Sequence, residues 1–363
     1  MFEFPKQESN IELKLSQSSQ TTEQLDNLDK IDLTKKESIN SILRRNYSQF
    51  FEKYELLNFI DSGITKFIYK GKSSNSSDNQ FFRFKFWINK NKDKRIVEKY
   101  NKMFMMQKRL HHNNISNVLD YYTINNKISF SISFFELGNI LYMKNIILKR
   151  VTLSETFACF ITYQILQGLK YLHRNKLFHM NIKEKNIIVG PDLDIKLKSF
   201  FSLFSFKNYE SNGLVTFTKE GLGYYLSPEV LRENNIEVKY GDRIDIYSLG
   251  VTLYKLVFGK YPYGLNNIKG DDYDKITGSL NIAKLEFPEG YKLSKLFRNF
   301  LEKILEKDYT KRYGLKDTFK DPWVKGWDII NEEKENIGIQ EDFINKLITD
   351  TIPKFNEYLN ENK

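Results

Sequence analysis

The feature that most constrains this chain is a change of hydrophobic period between its two halves. Ile128-Ser-Phe-Ser-Ile-Ser-Phe134 alternates strictly between apolar and polar residues, the repeat of a strand with one buried face. Phe81-Phe-Arg-Phe-Lys-Phe-Trp87 is a second strand-type run, dense in aromatics. Residues 94 to 110, between them, read as a helix. Beyond residue 150 the spacing becomes helical. Phe157, Phe160, Ile161, Ile165, Leu169 and Leu172 form one apolar stripe. Thr152-Leu-Ser-Glu155, just ahead of it, has capping-box spacing. A strand-rich segment over 54–135 followed by a helical one over 136–323 predicts a bilobal α+β architecture.

The flanks differ from this body. Residues 1–34 are polar with few aromatics and are expected to be disordered or weakly helical. Over 35–53, Ile39, Ile42, Leu43, Tyr47, Phe50 and Phe51 recur at helical spacing, which predicts a lead-in helix that docks on the first lobe. Over 324–363, Phe343, Leu347 and Ile348 fall on one side of a helical tail that Pro353 limits. The formal net charge is +10. The first 53 residues are close to neutral, so the excess sits in the remainder. No nucleic-acid recognition motif accompanies it, so a solvated surface is expected rather than a nucleic-acid partner. Cys159 is the single cysteine and lies in an apolar stretch. No intramolecular disulfide is possible, which points to a reducing, intracellular and cytoplasmic setting. The N-terminus lacks a basic segment followed by an apolar run, and no uninterrupted apolar run of about 18 residues occurs, so neither a signal peptide nor a membrane span is expected.

A series of short segments then stands in a telling order. It begins with Ile60-Asp-Ser-Gly-Ile-Thr-Lys-Phe-Ile68, Phe82-Arg-Phe-Lys85 and Leu110-His-His-Asn-Asn-Ile115. It continues with His179-Met-Asn-Ile-Lys-Glu-Lys-Asn186, Lys198-Ser-Phe-Phe201 and Gly221-Leu-Gly-Tyr-Tyr-Leu-Ser-Pro-Glu229, and ends with Asp245-Ile-Tyr-Ser-Leu-Gly250 and Asp308-Tyr-Thr-Lys-Arg312. Each is weak alone. Together, over about 54–323, they resemble the eukaryotic protein kinase superfamily of serine/threonine type. The resemblance implies a small antiparallel β-sheet lobe with one helix (54–135) and a larger, mostly α-helical lobe (136–323). It implies that Glu229 and Arg312 form a buried ion pair and that Asp245 holds the catalytic-loop backbone from beneath. His179 and Phe200 would stack in the hydrophobic spine.

Phosphoryl transfer rests on positioning and electrostatics, and several groups the resemblance calls for are replaced. The base position holds Asn181, whose neutral amide cannot accept the substrate proton. The magnesium-binding position holds Ser199, which carries no charge. Lys85 stands where a lysine would grip the phosphates, and its flanking aromatics predict that it points inward. Its glutamate partner falls on Met103, with Lys102 and Phe104 on either side. No acid occurs between Tyr100 and Val118, and Glu98 is more than a turn away. In the phosphate loop only Gly63 remains, with Asp61 and Lys66 at the other glycine positions. Met180 replaces the arginine that would meet a phosphorylated loop, and Leu222 replaces a bridging threonine. Ile60, Gly63, Ile68, Lys85, Lys183 and Asn186 are the remaining candidates for nucleotide contact. These residues predict an inactive serine/threonine-protein kinase that works as a scaffold or allosteric partner, with no metal. ATP would bind weakly and without metal, if at all. Protein partners would dock through the N-terminal or C-terminal helix. The alternative is an active or residual ATP-dependent serine/threonine kinase with atypical catalytic residues, built on Lys85, Lys183 and Asn186.

Overall fold

The computed structural model of the chain describes residues 35–46, 50–62, 66–74, 81–89, 94–124, 128–134, 138–140, 153–190, 194–198, 214–216, 223–232, 235–291 and 293–327. The expectations placed on residues 1–34, on Tyr47, Gly63, Ser199, Phe200 and Leu222, and on the tail residues Phe343, Leu347, Ile348 and Pro353 lie outside the described residues.

The first lobe opens with α1 (Lys36–Asn46) and α2 (Phe50–Lys53). Strands β1 (Tyr54–Ser62), β2 (Lys66–Ser73) and β3 (Phe81–Ile88) follow, then α3 (Lys94–Lys108), β4 (Asp120–Ile124) and β5 (Ile128–Phe134). The strands form one sheet in the order β1-β2-β3-β5-β4, with every neighbouring pair antiparallel. The strand period sorts the side chains. Phe82, Phe84 and Phe86 of β3 share a face with Phe130 and Ile132 of β5, since Phe84 stands opposite Ile132 and Phe86 opposite Phe130. That face is nearly all aromatic and cannot remain in water without a large hydrophobic cost. The two N-terminal helices cover it. Ile39, Ile42, Leu43 and Phe50 are buried in the same cluster, and the Phe50 ring lies 5.4 Å from Phe84 and 6.1 Å from Phe130.

On the opposite face, Trp87 packs against Phe104 of α3, with ring centroids 5.2 Å apart. Past α3 the chain crosses to the second lobe. Leu110 and Ile115 are buried in that lobe's core, and Ser116 N donates to Leu197 O at 2.8 Å. The α3 side of the sheet is therefore the side turned toward the large lobe.

The second lobe contains β6 (Gly138–Asn139), α4 (Glu155–Arg174), β7 (Ile187–Val189) and β8 (Ile195–Leu197), with the three strands in the order β6-β7-β8. Next come β9 (Leu214–Thr216), α5 (Pro228–Arg232) and β10 (Asn235–Glu237), with β9 and β10 paired antiparallel. The remaining helices are α6 (Gly241–Phe258), α7 (Tyr273–Ile282), α8 (Lys295–Ile304), α9 (Leu315–Thr318) and α10 (Pro322–Lys325). Helix α6 is buried on almost every side and ends at Gly259, whose φ of 72° suits a residue without Cβ. Helix α4 is also buried well beyond its predicted stripe, with Ala158, Cys159, Thr162 and Leu166 fully enclosed.

The predicted capping box at the head of α4 is not what forms. Ser154 is the N-cap and accepts from Phe157 N at 3.3 Å. Glu155 turns instead to the far end of the lobe. It accepts from Ser294 N at 2.8 Å, from Ser294 Oγ at 2.5 Å and from Trp323 Nε1 at 3.0 Å. Three tertiary donors outweigh one reciprocal local bond. Among the described residues, no helix is long and apolar enough to cross a membrane.

Candidate functional site

The loop 179–186 between α4 and β7 is held from below by one carboxylate. Asp245 of α6 is fully buried. It accepts from His179 N at 2.8 Å and from Met180 N at 2.6 Å, and meets His173 Nε2 at 2.9 Å. These bonds hold the backbone in a tight reversal, in which Met180 adopts a φ of 55° and buries its side chain in the large-lobe core. His179 is wholly enclosed. Its Nε2 faces the carbonyl of Lys198 at 3.1 Å and its Nδ1 faces the N–H of Asn181 at 3.3 Å. A carbonyl takes a proton and an N–H offers one, so the ring is neutral with its proton on Nε2. Burial pushes its pKa down to about 4, against the pull of Asp245.

Asn181 therefore sits on a rigid support. Its backbone carbonyl accepts from Asn186 Nδ2 at 2.8 Å, so the two amide-bearing residues of the loop are tied to each other. Lys183 lies between them, half-buried, and burial lowers its pKa, aided by Lys185 and opposed by Glu184.

A second tether, absent from the expectations drawn from the sequence, is built on Glu184. This residue is almost fully buried, pairs with Lys255 Nζ at 2.5 Å and accepts a hydrogen bond from Tyr225 Oη. Lys255 also donates to Tyr261 Oη at 2.5 Å. Burial works against the Lys255 charge, but Glu184 and Tyr261 outweigh it and hold the ammonium above its ordinary range. Burial and the neighbouring Glu184 push the Tyr225 hydroxyl well up, so it stays a donor. The loop, the stretch ahead of α5 and helix α6 are locked together. The one available signal was an acid wedged between two lysines in a loop otherwise read for its chemistry.

Arg312 and Glu229 form a two-pronged buried pair, Nη1 to Oε1 at 2.6 Å and Nη2 to Oε2 at 2.9 Å. Arg312 Nε also donates to Glu306 O at 2.7 Å, and its guanidinium lies 4.7 Å from the Tyr247 ring centroid. The end of the 221–229 segment is thus anchored to the distal helices.

The protein kinase domain matches residues 54–324 of this chain. The chain belongs to the protein kinase family. Over 220 residues it is 27% identical to the serine/threonine-protein kinase par-4 of Caenorhabditis briggsae, a match spanning 60% of this chain and 32% of that protein. Its identity to the Caenorhabditis elegans par-4 is 31% over 175 residues, 48% of this chain and 27% of the relative. A probable myosin light chain kinase of Dictyostelium discoideum is 28% identical over 222 residues, 60% of this chain and 68% of the relative. The chain spans about a third or less of the two par-4 proteins.

Within this kinase domain, Lys85 is half-buried on the α3 side of the sheet, its ammonium 4.4 Å from the Trp87 ring centroid. That is the inward face the sequence predicted. Met103 lies within α3. Phe104 is buried against Trp87, Asn101 accepts from Thr123 Oγ1 at 2.8 Å, and Glu98 is exposed. Ile60 is exposed and Ile68 half-buried at the sheet's β1–β2 end. Magnesium favours carboxylates, and the sequence has an amide at position 181 and a hydroxyl at position 199; Asn186 donates its side-chain nitrogen to the Asn181 carbonyl at 2.8 Å and keeps its neutral Oδ1 for a cation. Among the described residues no group of three or more His, Cys, Asp or Glu side chains could hold a metal.

Proposed function

We propose that this kinase domain is an inactive serine/threonine-protein kinase that acts through its surface and lobe arrangement, as a scaffold or allosteric partner. The observation that carries this reading is Asn181. The loop that would present a base is fully assembled, on Asp245, His179 and the Glu184 tether, yet it presents an amide. Loss of a positioned base costs about 10²–10⁴-fold in rate, and loss of the metal's charge stabilisation several kcal/mol more. The two losses act on the same transition state.

The test is phosphotransfer by purified protein with labelled ATP, magnesium or manganese and generic substrates. The expected result is no incorporation by the native chain. Robust transfer that vanishes on Lys85→Met would overturn the reading. Asn181→Asp combined with Ser199→Asp asks whether the scaffold can be reactivated. A second reading, residual kinase activity, draws on the inward Lys85 and on Lys183 with its lowered pKa. It requires transfer by the native chain. For partner docking, α1 commits its apolar side to the sheet, which leaves its polar side for another protein. Affinity purification with residues 1–53 present and absent tests that role.

A further inference from the structure

The cleft-facing side of the small-lobe sheet has an unusual composition. Strand β5 places Ser129, Ser131 and Ser133 there, all nine-tenths buried. Strand β3 places Arg83 and Lys85 directly opposite Ser133 and Ser131. Strand β2 adds Lys70 opposite Arg83 and Ile68 opposite Lys85. Arg83 and Lys85 are half-buried. Lys70 sits 3.8 Å from the ring centroid of Phe81, which is exposed at the edge of this face. Strands β2, β3 and β5 contribute no acid. Strand β1 offers Glu55, paired with Lys72 at 3.2 Å, and Asp61 opposite Ile68. Phe82, Phe84 and Phe86 of β3 lie on the other side of the sheet, under α1 and α2, while Ile68, Phe81 and Trp87 stay on this one.

We propose that this cleft is a binding site for a compact polyphosphate anion, held without a nucleoside base and without a metal. A flat base is bound between apolar surfaces. Here Ile68 is the aliphatic residue beside the cations, and Trp87 is already covered by Phe104. A chain of phosphates asks for the reverse: forked guanidinium N–H groups, an ammonium and hydroxyl donors, in a partly dehydrated setting. Arg83, Lys85, Ser131 and Ser133 supply these within two residue pairs of adjoining strands. ATP would enter by its phosphates and gain little from adenine. The assignment is independent of whether the chain transfers phosphate, because the probe reads binding alone.

The experiment is calorimetric titration of the full-length chain, with divalent metal chelated, using tripolyphosphate, ATP and adenosine in turn. Saturable one-site binding of tripolyphosphate, ATP no tighter than it, and no heat from adenosine are expected. Arg83→Gln and Lys85→Gln should each weaken tripolyphosphate at least tenfold. Lys320→Gln, at an exposed lysine of the large lobe, should leave it unchanged. Adenosine binding, or equal weakening by all three substitutions, would overturn the site. The second pattern would mean general attraction to a basic protein. If Arg83→Gln lowers the unliganded melting temperature, Arg83→Lys replaces it, and its affinity should fall between native and Lys85→Gln. The logarithm of the native affinity for tripolyphosphate should also fall linearly as log salt rises, and a flat salt response counts against the proposal.

Discussion

Removing residues 1–53 should collapse the small lobe, although the family match itself begins at Tyr54. The residual exposures of Ile39, Ile42, Leu43 and Phe50 are 1%, 7%, 0% and 3%. Full burial of such side chains contributes about 1.5–3 kcal/mol each, so the cover supplies roughly 6–12 kcal/mol as an upper bound. A typical domain has only about 5–15 kcal/mol to lose. The deletion also uncovers Phe84 and Phe130, which Phe50 touches edge-on, and Leu56 and Tyr69 beside them. Three chains should be compared: the full-length protein, one lacking 1–34 and one lacking 1–53. Thermal melting by circular dichroism and binding of a hydrophobic dye are the readouts. The chain lacking 1–34 should melt with the full-length protein. The chain lacking 1–53 should bind dye at room temperature and lose its first transition. Phe50→Ala in the full chain should cost about 3–5 kcal/mol, the usual loss for a buried phenylalanine. A chain starting at Tyr54 that melts like the native protein and binds no dye would refute the reasoning, since the aromatic face would then be stable in water.

Further outcomes follow from the large lobe. Glu229→Gln strands a charged guanidinium that is 1% exposed, and should cost about 3–5 kcal/mol in urea denaturation; a loss under about 1 kcal/mol would mean that the backbone acceptors around Arg312 suffice. His179 sets an acid-side sensitivity. Its folded pKa of about 4 lies below the ordinary 6.5, so between those values only the unfolded chain takes up the proton. The stability is complete above about 6.5 and is lost as pH falls toward 4, up to about 3 kcal/mol at about 1.4 kcal/mol per unit. His179→Gln should flatten that part of the stability profile, and an unchanged slope from pH 6.5 to 4 would count against a buried neutral ring. Asp245→Asn halves the acceptors facing His179 N and Met180 N, and should increase amide exchange across 179–186 while leaving β1–β5 unaffected.

The fold was legible because its largest signals are periodic. The alternation in 128–134 and the stripe from Phe157 to Leu172 each survive as an element, and the paired Glu229 and Arg312 were readable as ordered motifs. What escaped were side chains whose role is set by distant neighbours. Glu155 has a perfect local partner in sequence and is nonetheless claimed by Ser294 and Trp323, which lie 139 and 168 residues away. Glu184 reads as one charge in a basic loop until α6 brings Lys255 to it. Neither contact has a short-range signature, because burial rather than spacing decides which carboxylate finds which donor.

The small-lobe sheet shows the same limit and its consequence for function. Alternation in β3 and β5 established two unlike faces but not which face meets the large lobe. The inward placement of Lys85 carried the answer. If Lys85 faces α3, then Phe82, Phe84 and Phe86 must face away, and a chain with three phenylalanines on its outer sheet face needs a cover. The apolar positions at 39, 42, 43 and 50 are that cover. The same parity puts Arg83 and the three serines under the sheet, where Lys85 is. Outer aromatics, a fixed N-terminal cap and a polar cleft are thus one consequence of a single register. A substitution that returns apolar residues to positions 83, 131 and 133 should favour base binding over polyphosphate binding, and adenosine titration of Arg83→Ala/Ser131→Val/Ser133→Val reads that exchange directly. No gain in adenosine affinity would show that composition of this face does not set what the cleft accepts.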